Sequence, residues 1–403
     1  QDTGAISFTT QDMSSYYVDF SGEVNSFTTK FSYTNGDQET VSSVSDAILF
    51  SMIDADIEYD LQLDRLTLRP GLSYKKAEYD WDLMGGKQKV QTTGFSLLAD
   101  YNPEKYRLVA ALRGDKYNAP DEIYPSYQFA AMYKINEDNL LRAVYSRANR
   151  AAFLASLYFN LDIPIPPAGI GMEFLGNEEL DLMTMDMFEL GYRTKIEANT
   201  QIDIEGFYAH TKDYNETYST GETEMRDNLL YFIDQYQNIE LKATQIGGTI
   251  SVNYIPDAKL HARAFITVQR TDLKDHAPDL ANPDSLIDQE NESTPDFYGG
   301  FYLNYKPVAK LNLNANAYYY GRQTYDHEDY SISLPFPPFT TTEYIRNTDI
   351  DPKFIINLFA SYKIMDNASL FLNARNALNP DTREFGYADR INGFYLAGLR
   401  YEY

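Results

Sequence analysis

Residues Lys310–Tyr319 read KLNLNANAYY. The apolar positions of this stretch are Leu311, Leu313, Ala315 and Ala317, and the polar positions between them are Asn312, Asn314 and Asn316. Since successive side chains of a β-strand point to opposite faces, this period of two places the apolar side chains on one face and the amides on the other. The stretch predicts a strand of about ten residues with one charge-free face, which is the length of a tilted strand that crosses a hydrocarbon layer.

The same alternation recurs along the chain. Further charge-free faces are formed by Leu66, Leu68, Leu72 and Tyr74, by Phe188, Leu190, Tyr192 and Ile196, by Leu260, Ala262, Ala264, Ile266 and Val268, and by Phe354, Ile356, Leu358, Ala360 and Tyr362. Short polar turns are expected at Leu63–Asp64, Pro103–Glu104, Glu137–Asp138, Ala198–Asn199, Pro256–Asp257, Pro307–Val308 and Asp366–Asn367. Longer connections are expected between them at 80–92, 118–124, 151–182, 214–240, 271–294, 323–351 and 377–392.

This regular exchange of short turns and long loops is typical of bacterial outer-membrane barrels, which have tight periplasmic turns and long external loops. We therefore predict an all-β fold, a transmembrane antiparallel β-barrel with about 16 to 18 strands in this chain. The first fifty residues are ambiguous. The alternative is a soluble all-β solenoid or propeller, which the sequence disfavours because it shows no repeat of fixed length.

The composition limits the possible functions. The 403 residues include 59 acidic and 34 basic side chains, a formal charge of -25, and no cysteine. A chain this acidic lacks the basic surface that nucleic acid requires, so we expect no nucleic-acid partner. The absence of cysteine excludes disulfides, thiolate zinc sites and cysteine nucleophiles. No run of about 18 apolar residues is present, so a membrane-spanning helix is not expected.

Aromatic residues support the barrel. The chain has 35 tyrosines. Those near proposed strand ends are Tyr74, Tyr79, Tyr101, Tyr106, Tyr117, Tyr124, Tyr254, Tyr318, Tyr319 and Tyr320. Tyrosine combines an apolar ring with a polar hydroxyl, so these residues are expected to form girdles at the level of the lipid headgroups. The last segment, Gly393–Tyr403, is an amphipathic strand with an aromatic final residue, which resembles the assembly signal of outer-membrane barrels.

Several motifs resemble one family in order. Leu141–Ala151 reads LRAVYSRANRA, Asn177–Leu180 reads NEEL, and Phe188–Tyr192 reads FELGY. Together with Asp203–Asp213 and Asn373–Asn379, they resemble successive barrel strands of TonB-dependent receptors, from about Arg65 to the end of the chain. That resemblance implies an outer-membrane receptor of a diderm (Gram-negative) bacterium.

The resemblance is incomplete. The family's Lys-Pro pair is replaced here by Asp181–Leu182, and its Pro after the Arg-rich strand is replaced by Ala152. The family also has an N-terminal plug domain and a TonB-box ahead of a barrel of about 22 strands. Neither is found in this sequence, so we expect residues 1–403 to be an N-terminally truncated barrel domain.

A candidate ligand site follows from one strand and the loop after it. Arg142, Arg147 and Arg150 are expected near the outer end of the strand, and Phe153 and Tyr158 follow in the longest loop. By the alternation, Arg142 and Arg150 point into the lumen, so Arg142, Arg150, Phe153 and Tyr158 are the predicted ligand-binding residues of the external rim. The alternative is that these arginines pair with acidic residues of the lumen and have a structural role.

No enzyme chemistry is indicated. His210, His261, His276 and His327 are isolated, so no metal site or other cofactor is expected. Asp54 and Asp56, and likewise Asp349 and Asp351, have the spacing of cation ligands but are interpreted as solvated loop charges. The Pro-rich segments Ile163–Pro167 and Leu334–Pro338 are expected in stiff external loops, because proline cannot serve in a central strand.

Three functions remain open. The first is TonB-dependent active import of a scarce nutrient of the siderophore, cobalamin, glycan or peptide class, as the resemblance implies. The others are a passive outer-membrane channel and a structural barrel subunit of an envelope complex. The resemblance further implies outer-membrane lipid and lipopolysaccharide, the TonB-ExbB-ExbD system, and a surface lipoprotein over the external loops as partners.

Overall fold

The chain folds almost entirely into β-strands. A computed structural model describes residues 10–41, 46–276, 286–329, 344–378, 382–383 and 390–402. The strands are β1 (Thr10–Val24), β2 (Phe27–Val41), β3 (Asp46–Tyr59), β4 (Leu61–Leu63), β5 (Leu66–Trp81), β6 (Gly86–Tyr101), β7 (Tyr106–Tyr117), β8 (Ile123–Lys134), β9 (Asn139–Arg150), β10 (Asn160–Ile165), β11 (Ile170–Leu175), β12 (Met183–Ile196), β13 (Thr200–Lys212), β14 (Asn215–Arg226), β15 (Leu229–Asn238), β16 (Lys242–Asp257), β17 (Leu260–His276), β18 (Ile287–Glu290), β19 (Phe297–Val308), β20 (Leu311–Tyr320), β21 (Gln323–Asp329), β22 (Tyr344–Ile350), β23 (Lys353–Met365), β24 (Ala368–Arg375), β25 (Thr382–Arg383), β26 (Arg390–Ile391) and β27 (Phe394–Tyr401). Helical structure in these ranges is limited to α1 (Leu154–Tyr158) and two 3₁₀ turns, Asp82–Met84 and Pro166–Ala168.

Nineteen strands form one large sheet. Two of them are short: β4 pairs with β5, as β3 does, and β18 pairs with β17, as β19 does. Without these two short strands, seventeen strands follow one another across the sheet. Each pairs antiparallel with the strands next to it along this succession, from β1 to β27. The expected all-β transmembrane barrel wall with about 16 to 18 strands is confirmed.

Short turns lie at one end of the sheet and longer connections at the other. The turns of the short-turn end are 25–26, 64–65, 102–105, 135–138, 197–199, 258–259, 309–310 and 366–367, within two residues of every short turn that the sequence predicts. We call the opposite end the long-loop end. The expected long connection at 80–92 is wrong, because β5 continues to Trp81 and β6 begins at Gly86. Gly85 and Gly86 have φ of 68° and 97°, which a tight turn here requires.

The two faces of the sheet differ as the alternation predicts. Leu313, Leu358 and Leu372 are 36%, 46% and 63% exposed on one face. On the other face Asn304 Nδ2 donates to Asn312 Oδ1 at 3.1 Å, and Asn316 Nδ2 donates to Asn314 Oδ1 at 3.0 Å. The predicted separation of leucines from asparagines is confirmed.

Long side chains identify the polar face as the concave one. Arg113 on β7 crosses β6 to reach Ser73 Oγ on β5 at 2.7 Å. It passes over Gly94, where a Cβ atom would lie 2.5 Å from Arg113 Nη2. Arg142 on β9 likewise crosses β12 beside Gly191 and pairs with Glu205 on β13. Side chains that meet across an intervening strand converge, so this face is the lumenal face.

Tyrosines surround the short-turn end on the convex face. Exposed members are Tyr59, Tyr101, Tyr106, Tyr133, Tyr254, Tyr305, Tyr362 and Tyr401. The rings of Tyr106 and Tyr133 stack with centroids 5.1 Å apart. Tyr318 and Tyr320 do not belong to a girdle, because strict alternation turns them to the concave face and leaves only Tyr319 beside the convex Phe354.

A second sheet stands beyond the long-loop end. It has the order β10-β11-β15-β14 and is built from the connections that leave β9 and β13. Ile163–Ile165 of the Pro-rich segment belongs to its edge strand β10, where Pro164 is tolerated. Leu334–Pro338 and Tyr403 lie outside the described residues. Within the described ranges no helix is long and apolar enough to cross a membrane.

Candidate functional site

The loop that follows β9 begins with a cation resting on an aromatic ring. The guanidinium carbon of Arg150 lies 4.7 Å from the centre of the Phe153 ring. Phe153 remains 65% exposed, so the pair is open to a ligand at the long-loop end. An aromatic ring next to a placed cation is a common element of small-molecule sites.

Tyr158 has a different position, at the base of the loop. It packs against a buried cluster formed by Ala119, Leu157 and Leu180. Its hydroxyl donates to Lys89 O at 3.0 Å and ties the loop to β6. Burial raises the pKa of the Tyr158 hydroxyl, which therefore stays protonated and able to donate this bond. The contacts of Tyr158 are those of an anchor for the loop.

Side-chain amides join β15 of the second sheet to the segment that leads into β12. Asn177 Nδ2 donates to Tyr236 O at 3.1 Å. Asn238 Oδ1 accepts from Asp181 N at 2.8 Å, and Asn238 Nδ2 donates back to Asp181 O at 3.1 Å. Leu180 and Leu182, on either side of Asp181, are completely buried. These contacts join the connection between β9 and β12 to the connection between β13 and β16.

A cluster of charged side chains connects the strands of this second sheet. Arg226 Nη2 lies 2.6 Å from Glu173 Oε2 and 2.5 Å from Glu224 Oε2. The same guanidinium sits over the ring of Tyr231 at 5.0 Å. Glu173 and Glu224 raise the pKa of Arg226, so the cation persists at any physiological pH. The second sheet is thus a folded element at the long-loop end that is held by its own ion pairs.

Arg142 is not at the external rim. It is the fourth residue of β9 and lies near the short turn 135–138, whereas Arg150 ends the strand eight positions later. The predicted position of Arg142 near the outer end is therefore wrong, because the Arg-rich stretch extends over most of the strand. Its pairing with Glu205 matches the alternative structural reading.

Arg147 lies on the convex face. Its partner across the strands is Asp186, with Arg147 Nη2 2.7 Å from Asp186 Oδ2. The guanidinium also covers the ring of Tyr127 at 5.6 Å. The three arginines of β9 therefore serve three different surfaces: the lumen, the outside of the wall and the rim.

Ion pairs line one part of the lumenal face, which we call the charged arc. Its members are Asp54, Lys75, Arg113, Asp115, Arg142, Arg193, Asp203 and Glu205, on β3, β5, β7, β9, β12 and β13. Lys75 Nζ lies 2.8 Å from Asp54 Oδ2, and Arg193 Nε lies 2.5 Å from Asp203 Oδ1. The interpretation of Asp54 and Asp56 as loop charges is wrong, because both lie within β3. Each of these residues stands at a lumenal position in the two-residue alternation of its strand. That position is the signal in the sequence by which they can be recognised.

A cavity of about 520 Å³ lies against the charged arc. Arg142, Arg193 and Asp203 contribute to its wall, and Tyr298 contributes from β19. Among the residues that the structure describes, no group of three or more His, Asp or Glu side chains has the arrangement of a metal site. The cavity offers paired charges and hydroxyls, which suit contact with a polar partner.

Comparison with known proteins identifies similar barrels. A family model described as "TonB dependent receptor-like, beta-barrel" matches residues 2–377. The siderophore receptor PirA from Acinetobacter baumannii has a similar structure, with 13% identity and a TM-score of 0.71 over 98% of this chain and 62% of that one. A mutant of the ferric enterobactin receptor PfeA from Pseudomonas aeruginosa has 15% identity and a TM-score of 0.71 over 97% and 62%.

A third similar structure is the FrpB iron transporter from Neisseria meningitidis, with 12% identity and a TM-score of 0.71 over 96% of this chain and 62% of that one. The chain thus spans less than two thirds of the length of these structures. At these identities the likeness shows the fold. No curated protein sequence matches the chain.

Proposed function

The chain belongs to the TonB-dependent receptor-like β-barrel family, and from this premise we propose that it forms the barrel of a receptor for active import of a scarce nutrient. Barrels of this family lie in the outer membrane of Gram-negative bacteria, and so does this chain. Outer-membrane barrels carry short turns on the periplasmic side, so the long-loop end is extracellular in the proposal. The cargo belongs to the siderophore, cobalamin, glycan or peptide class.

The observation that carries the proposal is the second sheet at the long-loop end. A channel for free diffusion has no need of a folded structure joined to its mouth. Here two long connections share a buried cluster, and paired amides hold them together, with the exposed Phe153 and Arg150 beside them. Such a fixed surface is suited to hold a ligand before transport, because pre-organised groups lose little freedom on binding.

The proposal includes partners for energy and for location. We propose that the whole receptor carries a plug domain and a TonB-box, through which the TonB-ExbB-ExbD system acts, and that the charged arc faces that plug. Outer-membrane lipid and lipopolysaccharide contact the convex face. A surface lipoprotein over the external loops is the third proposed partner. The ligand-binding role of the rim is carried by Arg150 and Phe153, with Tyr158 as their anchor and Arg142 deeper in the lumen.

A genetic experiment tests the import proposal. Deletion of the gene should abolish growth on the limiting nutrient, and deletion of TonB should give the same defect without an added effect in the double mutant. A barrel that acts as a passive channel would still support growth without TonB. A structural subunit would instead show an envelope defect, such as sensitivity to detergent, with unchanged nutrient uptake.

A further inference from the structure

The lumenal face has a second part that differs from the charged arc. It comprises the concave side chains of β16, β17, β19, β20 and β23, which we call the amide-tyrosine arc. Amides and tyrosines dominate it, including Asn253, Asn304, Asn312, Asn314, Asn316, Asn357, Tyr298, Tyr302, Tyr318 and Tyr320. Two pairs of these amides bond to each other, Asn304 to Asn312 and Asn316 to Asn314.

A cavity of about 420 Å³ lies on this arc at the long-loop end. This volume is within the range of about 300 to 1,000 Å³ that is usual for small-molecule sites. Gln245, Gln269 and Gln323 supply amides to its wall, and Tyr298 and Tyr320 supply rings. The two rings stack with centroids 6.3 Å apart and an angle of 17° between their planes.

The amides of the cavity are held in place by neighbouring groups. Gln269 Nε2 donates to Pro295 O at 3.2 Å, and Gln323 Nε2 donates to Ser293 O at 3.0 Å. Gln245 Nε2 donates to Gln269 Oε1 at 3.3 Å. Gln269 and Gln323 are only 9% and 7% exposed. Since an amide oxygen has two lone pairs, Gln245 and Gln323 retain acceptors for hydroxyl donors of a ligand.

The lining of this cavity carries too little positive charge for a multiply charged anionic ligand. Of the described residues that line it, Lys353 alone is charged. Its ammonium donates to Arg383 O at 2.8 Å and lies 5.9 Å from the centre of the Tyr320 ring. A multiply charged anionic chelate would need several cations where the described lining supplies one, and a chain with a formal charge of -25 repels such a chelate further. The lining contains no carboxylate for a cationic ligand within the described residues.

We propose that this cavity binds a neutral polyhydroxylated cargo, an oligosaccharide, through amide bonds to its hydroxyls and stacking on Tyr298 and Tyr320. This inference rests on the proposed import function and names its substrate class. Tyr298 also lines the cavity of about 520 Å³ beside the charged arc, so a ligand that leaves the first cavity meets the second along one continuous wall.

Binding to the full-length receptor in detergent tests this inference. The neutral probes are short gluco-, manno- and xylo-oligosaccharides, and the anionic probe is a ferric tris-catecholate complex, each titrated by calorimetry. At least one oligosaccharide should bind, with an affinity that does not change between low and high salt. Gln323→Leu should weaken that binding by roughly 5- to 30-fold, since it removes hydrogen bonds to hydroxyls.

The matched control is Gln128→Leu, which alters a glutamine on the concave face of β8, outside the amide-tyrosine arc. Its binding should equal that of the wild type. If Gln323→Leu does not assemble, Gln245→Leu is used in the same cavity.

Binding of the ferric complex without binding of any oligosaccharide, or an equal loss of binding in the Gln128→Leu control, overturns the inference. Energised uptake of the ferric complex would still uphold import, whereas loss of TonB dependence for every cargo would reject the proposed function.

Discussion

At the scale of single residues, the position of a side chain in its strand determines its environment. Leu313 faces the convex side, and Asn314 next to it faces the lumen, as the alternation of Lys310–Tyr319 predicts. The same rule corrects the sequence-based placement of Tyr320, which turns inward. Parity is visible in the sequence, but the height of a residue along its strand is not. For this reason the lumenal direction of Arg142 was predictable and its depth was not.

Replacement of Leu313 tests this rule directly. Leu313→Arg should destabilise the barrel by roughly 2–4 kcal/mol, because a cation near the centre of the bilayer loses its hydration. Asn314→Arg is the matched control and should have little effect, since its side chain enters the lumen. Urea unfolding in lipid vesicles measures both variants. Equal destabilisation would contradict the assignment of the two faces.

The two aromatic residues of the rim should respond differently to substitution. Phe153→Ala should weaken cargo binding and leave assembly intact, because the ring is 65% exposed and lies against Arg150. Tyr158→Phe should loosen the loop by roughly 0.5–1.5 kcal/mol through loss of the bond to Lys89 O, with little direct effect on the cargo. Cargo affinity and the rate of limited proteolysis separate the two effects. A normal affinity in the double Phe153→Ala, Tyr158→Ala variant, with normal assembly, would remove this rim from the binding site.

At the scale of elements, the sequence predicts membrane strands well and external strands poorly. A strand in lipid requires a charge-free face, which is what makes it recognisable. The outer parts of β5 and β6 have no such requirement, and Glu78 there pairs with both Lys76 and Lys87 at 2.7 and 2.6 Å. The second sheet likewise lies within two expected loops, because β10 and β11 have only six residues each and one of its pairings, β11 with β15, is parallel.

The contribution of Asp234 to the stability of the second sheet should fall as pH rises. Burial raises the pKa of Asp234 on β15, so the folded sheet prefers the neutral acid, and this preference is lost as pH rises through the folded pKa. Asp234→Asn should therefore slow proteolysis of the β14–β15 hairpin at neutral pH and have less effect near about pH 4, where the acid is protonated. Glu222→Gln, an exposed change on β14, is the control. An equal benefit at both pH values would contradict this role.

At the scale of the whole molecule, the barrel has two ends and a lumen with two unlike parts. The strands of the wall and its two ends can be predicted from the sequence. Both the alternation of apolar and polar residues within a strand and the alternation of short turns with long connections are local patterns. The division of the lumen into a charged arc and an amide-tyrosine arc does not, because it depends on which distant strands become neighbours. Arg142 and Glu205, for example, are 63 positions apart.

The orientation of the whole barrel can be checked with epitope tags. A tag after Gly221, in the β14 strand of the second sheet, should be detected on intact cells, since the long-loop end is extracellular. A tag after Asp138, in a short turn, should be detected only after the outer membrane is opened. The reverse pattern would invert the topology.

Uphill transport is the most direct test of the account. Cells that carry the full-length receptor are given labelled cargo at a concentration far below its affinity, before and after a protonophore collapses the proton gradient. Active import predicts that the periplasmic concentration rises above the external one and that the excess disappears with the gradient. Equal concentrations on both sides, unchanged by the protonophore, would show a passive channel and contradict the central claim.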